Sequence, residues 1–113
     1  MSAYVVRGNY RAYRNTDTPL VAWVRDDDGK LDMDGMTVEV AIPCPNPGYG
    51  YDYQIANGNG PELIIPATSP EAGKVEFTVT AGNINQRLLS PAHVLFIRAD
   101  GVTVGSGLLE IVG

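Results

Sequence analysis

Two short runs decide the fold class. In residues 36–42 the apolar Met36, Val38, Val40 and Ile42 alternate with Thr37, Glu39 and Ala41, and in residues 74–80 Val75, Phe77 and Val79 alternate with Lys74, Glu76 and Thr78. A period of two puts every second side chain on one face of an extended chain, so each run predicts a half-buried β-strand. Residues 18–25 form a third candidate, ended by the turn chemistry of Asp26, Asp27, Asp28 and Gly29. Asp-Gly pairs favour tight turns because both residues tolerate positive φ. Residues 92–99 lead through Asp100 and Gly101 into a last strand over 102–112. Pro43, Pro45 and Pro47 stop the strand before them, since proline cannot donate to a sheet ladder. The single helix candidate is short, at residues 81–89. About six to eight strands joined by Gly and Pro turns predict an all-β chain folded as an antiparallel β-sandwich.

Residues 43–66 interrupt this pattern. Tyr49, Tyr51 and Tyr53 alternate with Gly50, Asp52 and Gln54, a turn-rich stretch follows over 56–61, and Glu62, Leu63, Ile64, Ile65 and Pro66 close the segment. The spacing predicts a hairpin inserted into the domain. Aromatics along one strand face suit a carbohydrate platform or a protein interface. They equally suit packing onto the domain's own core, and the sequence leaves these readings open.

The chain has 113 residues, enough for one domain over 1–113 with a core that needs no metal or disulfide. Cys44 is the only cysteine, which excludes an internal disulfide. A net charge of −5 with only two lysines argues against nucleic-acid binding, which draws its affinity from cations that displace counterions. Neither a charged-then-apolar leader nor an apolar run near twenty residues is visible, so a soluble chain with no membrane partner is expected. The first fourteen residues hold Arg7, Arg11 and Arg14 and no acid, interleaved with Tyr4, Tyr10 and Tyr13. That composition suits an arm docking onto an acidic protein surface, or a first strand carrying solvated arginines.

Five aspartates and two glycines in residues 26–35 invite a calcium reading. Aligned on Gly35 as the turn glycine of an EF-hand loop, however, the segment puts Lys30 at the first ligand position and Ala41 where the bidentate glutamate belongs. The flanking periods are those of strands, so 26–35 is expected to be a solvent-exposed turn without metal. Cys44 between prolines and His93 in an apolar run give no sign of a nucleophile–base pair. No catalytic residue, metal ligand or cofactor site is assigned. Residues 20–24 and 94–97 are apolar at both parities, which implies that something covers their second face: the inserted hairpin, the chain termini or another subunit.

The order of these motifs carries a resemblance. Arg7-Gly-Asn-Tyr10, the strand over 20–25, the turn 26–29, the segment 31–40, Gly73-Lys-Val-Glu-Phe-Thr-Val79 and the closing Ile97-Arg-Ala-Asp-Gly-Val102 together resemble the immunoglobulin-like N-terminal domain of tailed-phage baseplate upper proteins and related small virion proteins. The family pattern after the Asp-Gly turn is Asp, an apolar residue, Thr, Gly; here Asp34 replaces the Thr. Ser90-Pro-Ala92 stands where the family has a Pro-Gly pair. The resemblance implies an immunoglobulin-like sandwich acting as a non-enzymatic structural or adaptor protein of a tailed-bacteriophage virion. It would be made in the host cytoplasm and docked in multiple copies, within a symmetric assembly, onto other virion proteins of the tail, the baseplate or the head surface. A carbohydrate-binding module using Tyr49, Tyr51 and Tyr53 is the alternative.

Overall fold

A computed structural model describes residues 3, 4, 7–27, 29–44 and 62–113. The strands are β1 (Ala3–Tyr4), β2 (Arg7–Tyr13), β3 (Thr18–Trp23), β4 (Arg25–Asp26), β5 (Gly29–Lys30), β6 (Val38–Pro43), β7 (Glu62–Ala67), β8 (Lys74–Val79), β9 (Ala92–Ala99) and β10 (Val102–Val112). One helix, α1 (Ala81–Gln86), lies between β8 and β9. A five-stranded sheet runs β2-β10-β9-β6-β7, a two-stranded sheet pairs β3 with β8, and β1-β4-β5 form a small ribbon.

The alternating runs do what their period dictates. Val38, Val40 and Ile42 of β6, Leu95 and Ile97 of β9, and Leu109 and Ile111 of β10 turn inward from the large sheet; Ala22, Val75, Phe77 and Val79 meet them from the small one. Burying each larger aliphatic or aromatic side chain contributes about 1.5–3 kcal/mol relative to exposure. Thr80 caps α1: its hydroxyl accepts from the Asn83 N–H, and the Asn83 side chain accepts from the Thr80 N–H. Ile84 and Leu88 then enter the core.

The β9–β10 hairpin turns at Asp100 and Gly101, with φ of 48° and 80°. Positive φ at both central residues matches a two-residue hairpin whose twist suits its strands. The Asp100 N–H donates to the Thr37 carbonyl at 2.9 Å and the Thr37 N–H donates to Asp100 Oδ1 at 2.8 Å, tying this turn to the chain entering β6.

Four expectations need correction. The sheet is not wholly antiparallel, because β2 runs parallel to β10, Arg7 beside Ser106 through Tyr13 beside Val112. Nearly the whole chain separates these strands, so no local turn announces their direction. Residues 26–35 are not simply an exposed turn: β4 and β5 pair there, and Asp26, Leu31 and Met33 are buried. The two apolar residues spaced two apart act as strand-like core plugs within an acidic stretch. Met36 belongs to the turn before β6 and is exposed. Finally, residues 62–66 do not stand apart from the domain's own sheet, since β7 pairs with β6 from Glu62 opposite Pro43 to Ala67 opposite Val38. Leu63 and Ile65 are core residues. Its apolar run at both parities hid a period of two. The tyrosines at 49, 51 and 53 lie outside the described residues.

Candidate docking surfaces

The outer face of the large sheet follows from its register. On this face Leu108 of β10 lies between Asn9 of β2 and Val94 of β9. In the next row Ser106 is opposite Phe96, Phe96 opposite Ala41 of β6, and Ala41 opposite Ile64 of β7. Val94 is 50% exposed, Leu108 41% and Ile64 44%, with Phe96 half-buried beside them. Asn9, Val94, Phe96, Ser106 and Leu108, with Gly8 and Gly107, line a depression of about 450 Å³. Gly107 is required here, because a Cβ would stand 2.6 Å from the Tyr10 ring and 2.8 Å from the Gly8 carbonyl oxygen.

One ion pair borders the apolar rows and another crosses them. Arg11 Nε meets Glu110 Oε2 at 3.2 Å with both side chains largely exposed, and Arg98 Nη2 meets Glu62 Oε2 at 2.6 Å, more sheltered. The exposed pair contributes little to stability; the shorter, partly covered one is the stronger charge-assisted bond. Arg98 is in register with Glu39 and Glu62 with Pro43, on either side of Ala41, so the second pair lies across the row between Phe96 and Ile64 and the apolar group is Val94, Phe96 and Leu108.

The arginine- and tyrosine-bearing N-terminal segment divides by parity. Tyr10 turns inward, its ring edge-on to Phe77 at 6.2 Å between centroids, and burial pushes its phenol above the ordinary value. It leaves the docking set. Arg11 and exposed Tyr13 face outward beside Glu110 and Val112 and so extend the outer face just described. Arg14 is half-buried against Gly113, with its N–H donating to the Val112 carbonyl at 3.0 Å. The backbone of Arg7 lies in β2 and that of Tyr4 in β1. The segment is thus a strand of the sheet, and the apolar tips at 7–13 split as Tyr10 and Ala12 against Tyr13, a split already visible in their spacing.

Cys44 is buried past the end of β6, its carbonyl accepting from Arg87 Nη2 at 3.0 Å. Burial raises its thiol pKa, which disfavours the nucleophilic thiolate. His93 Nε2 accepts from the Ser90 N–H at 3.3 Å, and burial lowers its pKa. Among the described residues no group of three or more His, Cys, Asp or Glu side chains is placed to hold a metal ion. Asp32 Oδ1 instead accepts from the Asp34 N–H at 3.0 Å, a local turn bond.

The small sheet exposes a different face. Pro19, Val21 and Trp23 of β3 stand opposite Thr78, Glu76 and Lys74 of β8, and both Val21 and Trp23 are 43% exposed. Lys30 Nζ lies 4.8 Å and Lys74 Nζ 5.9 Å from the centre of the Trp23 ring. The apolar second faces of residues 20–24 and 94–97 therefore reach solvent rather than being closed over at Val21, Trp23 and Val94.

No protein-family model and no curated protein matches the chain. Among solved structures it is similar to the Lin-41 filamin domain, with a TM-score of 0.52 and 17% identity over 96% of this chain and 90% of that one. The fold is immunoglobulin-like. Within that immunoglobulin-like sandwich, the outer face of the five-stranded sheet sets exposed Val94 and Leu108 side by side. No helix among the described residues is long and apolar enough to cross a membrane.

Proposed function

We propose that this chain is a non-enzymatic structural or adaptor subunit of a tailed-phage virion, docking onto other virion proteins through the outer face of its five-stranded sheet. The carrying observation is the exposed Val94 and Leu108, side by side in register, with half-buried Phe96 next to them. An antiparallel sheet whose second face meets water ordinarily alternates to polar residues there, and contiguous exposed apolar side chains mark interaction surfaces. Arg11 and Tyr13 at the edge of this face are residue types enriched where partners meet. The phage setting rests on the order of turn and strand motifs from Arg7 to Val102, and tail, baseplate and head surface all fit a small sandwich of this kind. Fold alone supports many roles, so the reading stands on this face and that motif order.

The test is to image intact particles and to follow binding of the purified protein to particles lacking it. Density for the sandwich with its large sheet against a neighbouring subunit is expected. Particles without it, or with that sheet facing solvent, would refute the reading.

A further inference from the structure

The chain's one tryptophan and both of its lysines meet at a single corner. Trp23 ends β3, Lys74 begins β8 opposite it, and Lys30 ends β5. Arg25 joins Trp23, Val24 and Lys30 around a depression of about 270 Å³. Three of the eight cations of a chain with net charge −5 are therefore collected here. Lys74 is shared with Glu76 at 3.3 Å; among the described residues neither Lys30 nor Arg25 forms an ion pair. Among the described residues of the same hairpin, Asp27 is an exposed acid.

We propose that this corner binds an acidic peptide segment of a partner protein. An indole face holds an ammonium by its quadrupole, which restrains the long lysine side chains while leaving their N–H groups able to donate. Restraint before binding lowers the entropy cost of recruiting them to a carboxylate. Pro19 and Val21 continue outward from Trp23 along the same strand, so an extended segment laid on β3 meets an apolar strip and then the cations. A free phosphate would use only the cations. This corner lies on the small sheet and ribbon, and it stands or falls independently of docking through the large sheet.

Trp23 reports directly, since it is the sole indole. Intrinsic fluorescence of the full chain is titrated with a short peptide of alternating glutamate and valine, with the glutamine counterpart, and with inorganic phosphate. A saturable change is expected for the glutamate peptide, weakened by salt and at least about tenfold weaker for glutamine, as for loss of charge-assisted bonds. Phosphate should not reproduce it. Lys30→Gln with Lys74→Gln should abolish it, and Lys30→Arg should retain it. No saturable change, an equal response to the glutamine peptide or to phosphate, or an unchanged response in the double variant would overturn the proposal. A salt-sensitive change on concentrating the protein without peptide would assign the corner to a second copy and overturn it as well.

Discussion

The two outer faces of this sandwich differ far more than its two inner ones. Inside, both sheets contribute the same chemistry: Val40, Leu95 and Leu109 from the large sheet, Val75, Phe77 and Val79 from the small. Outside, the large sheet sets Leu108, Val94 and Phe96 together on β9 and β10, flanked by the ion pairs Arg11–Glu110 and Arg98–Glu62, which neutralise themselves. The small sheet concentrates one indole beneath two ammonium groups. Folding constrains only the inner faces, so the outer ones are where a sandwich carries its specificity. The large face can associate by removing apolar area from water, which salt screens little; the small one depends on charge, which salt weakens.

The largest expected effect separates the two sides of a single strand. Leu95→Ala, at a fully buried position of β9, should cost about 2–5 kcal/mol of unfolding free energy, whereas Val94→Ala on the opposite side should stay within about 0.5 kcal/mol. Urea denaturation checks both, and equal costs would make the outer residue part of the folding core. Next comes Asp100→Ala, which removes the bond from the Thr37 N–H and puts alanine at a positive φ, and should cost about 2–3 kcal/mol. Because that turn lies away from the exposed apolar group, particle binding at temperatures well below unfolding should not change.

Lys30→Gln should be smaller, about 0.5–1 kcal/mol from loss of an exposed cation–π contact, measured by the same denaturation and by the emission of Trp23. The smallest is Arg11→Ser, within about 0.5 kcal/mol because its pair with Glu110 is exposed. A larger loss for Arg11 than for Lys30 would reverse the contrast drawn between the faces.

Legibility followed the same division. The inward residues of β6 and β8 are legible because polar residues, or the small Ala41, separate them, and the Asp100-Gly101 turn because its two residues favour positive φ. β7 was not readable as a sheet strand: Leu63, Ile64 and Ile65 are all apolar, and only pairing with β6 decides that Ile64 faces out. Composition groups Tyr10 with Tyr13, although they have opposite parity in a strand and so reach opposite faces. The Trp23 corner left no local trace, since Lys30 arrives from a ribbon and Lys74 through a pairing half a chain away. Long-range pairing, which a linear pattern does not encode, made the difference in each case.

The most direct measurement is virion incorporation of a Val94→Asp, Leu108→Asp double variant beside wild type, quantified in purified particles after confirming its cooperative unfolding. Both positions are substantially exposed, so the fold should persist while two charges make the apolar rows costly to bury. The account predicts a folded variant missing from particles, and wild-type binding that varies little with salt. A folded variant incorporated at the wild-type level would contradict docking through this face.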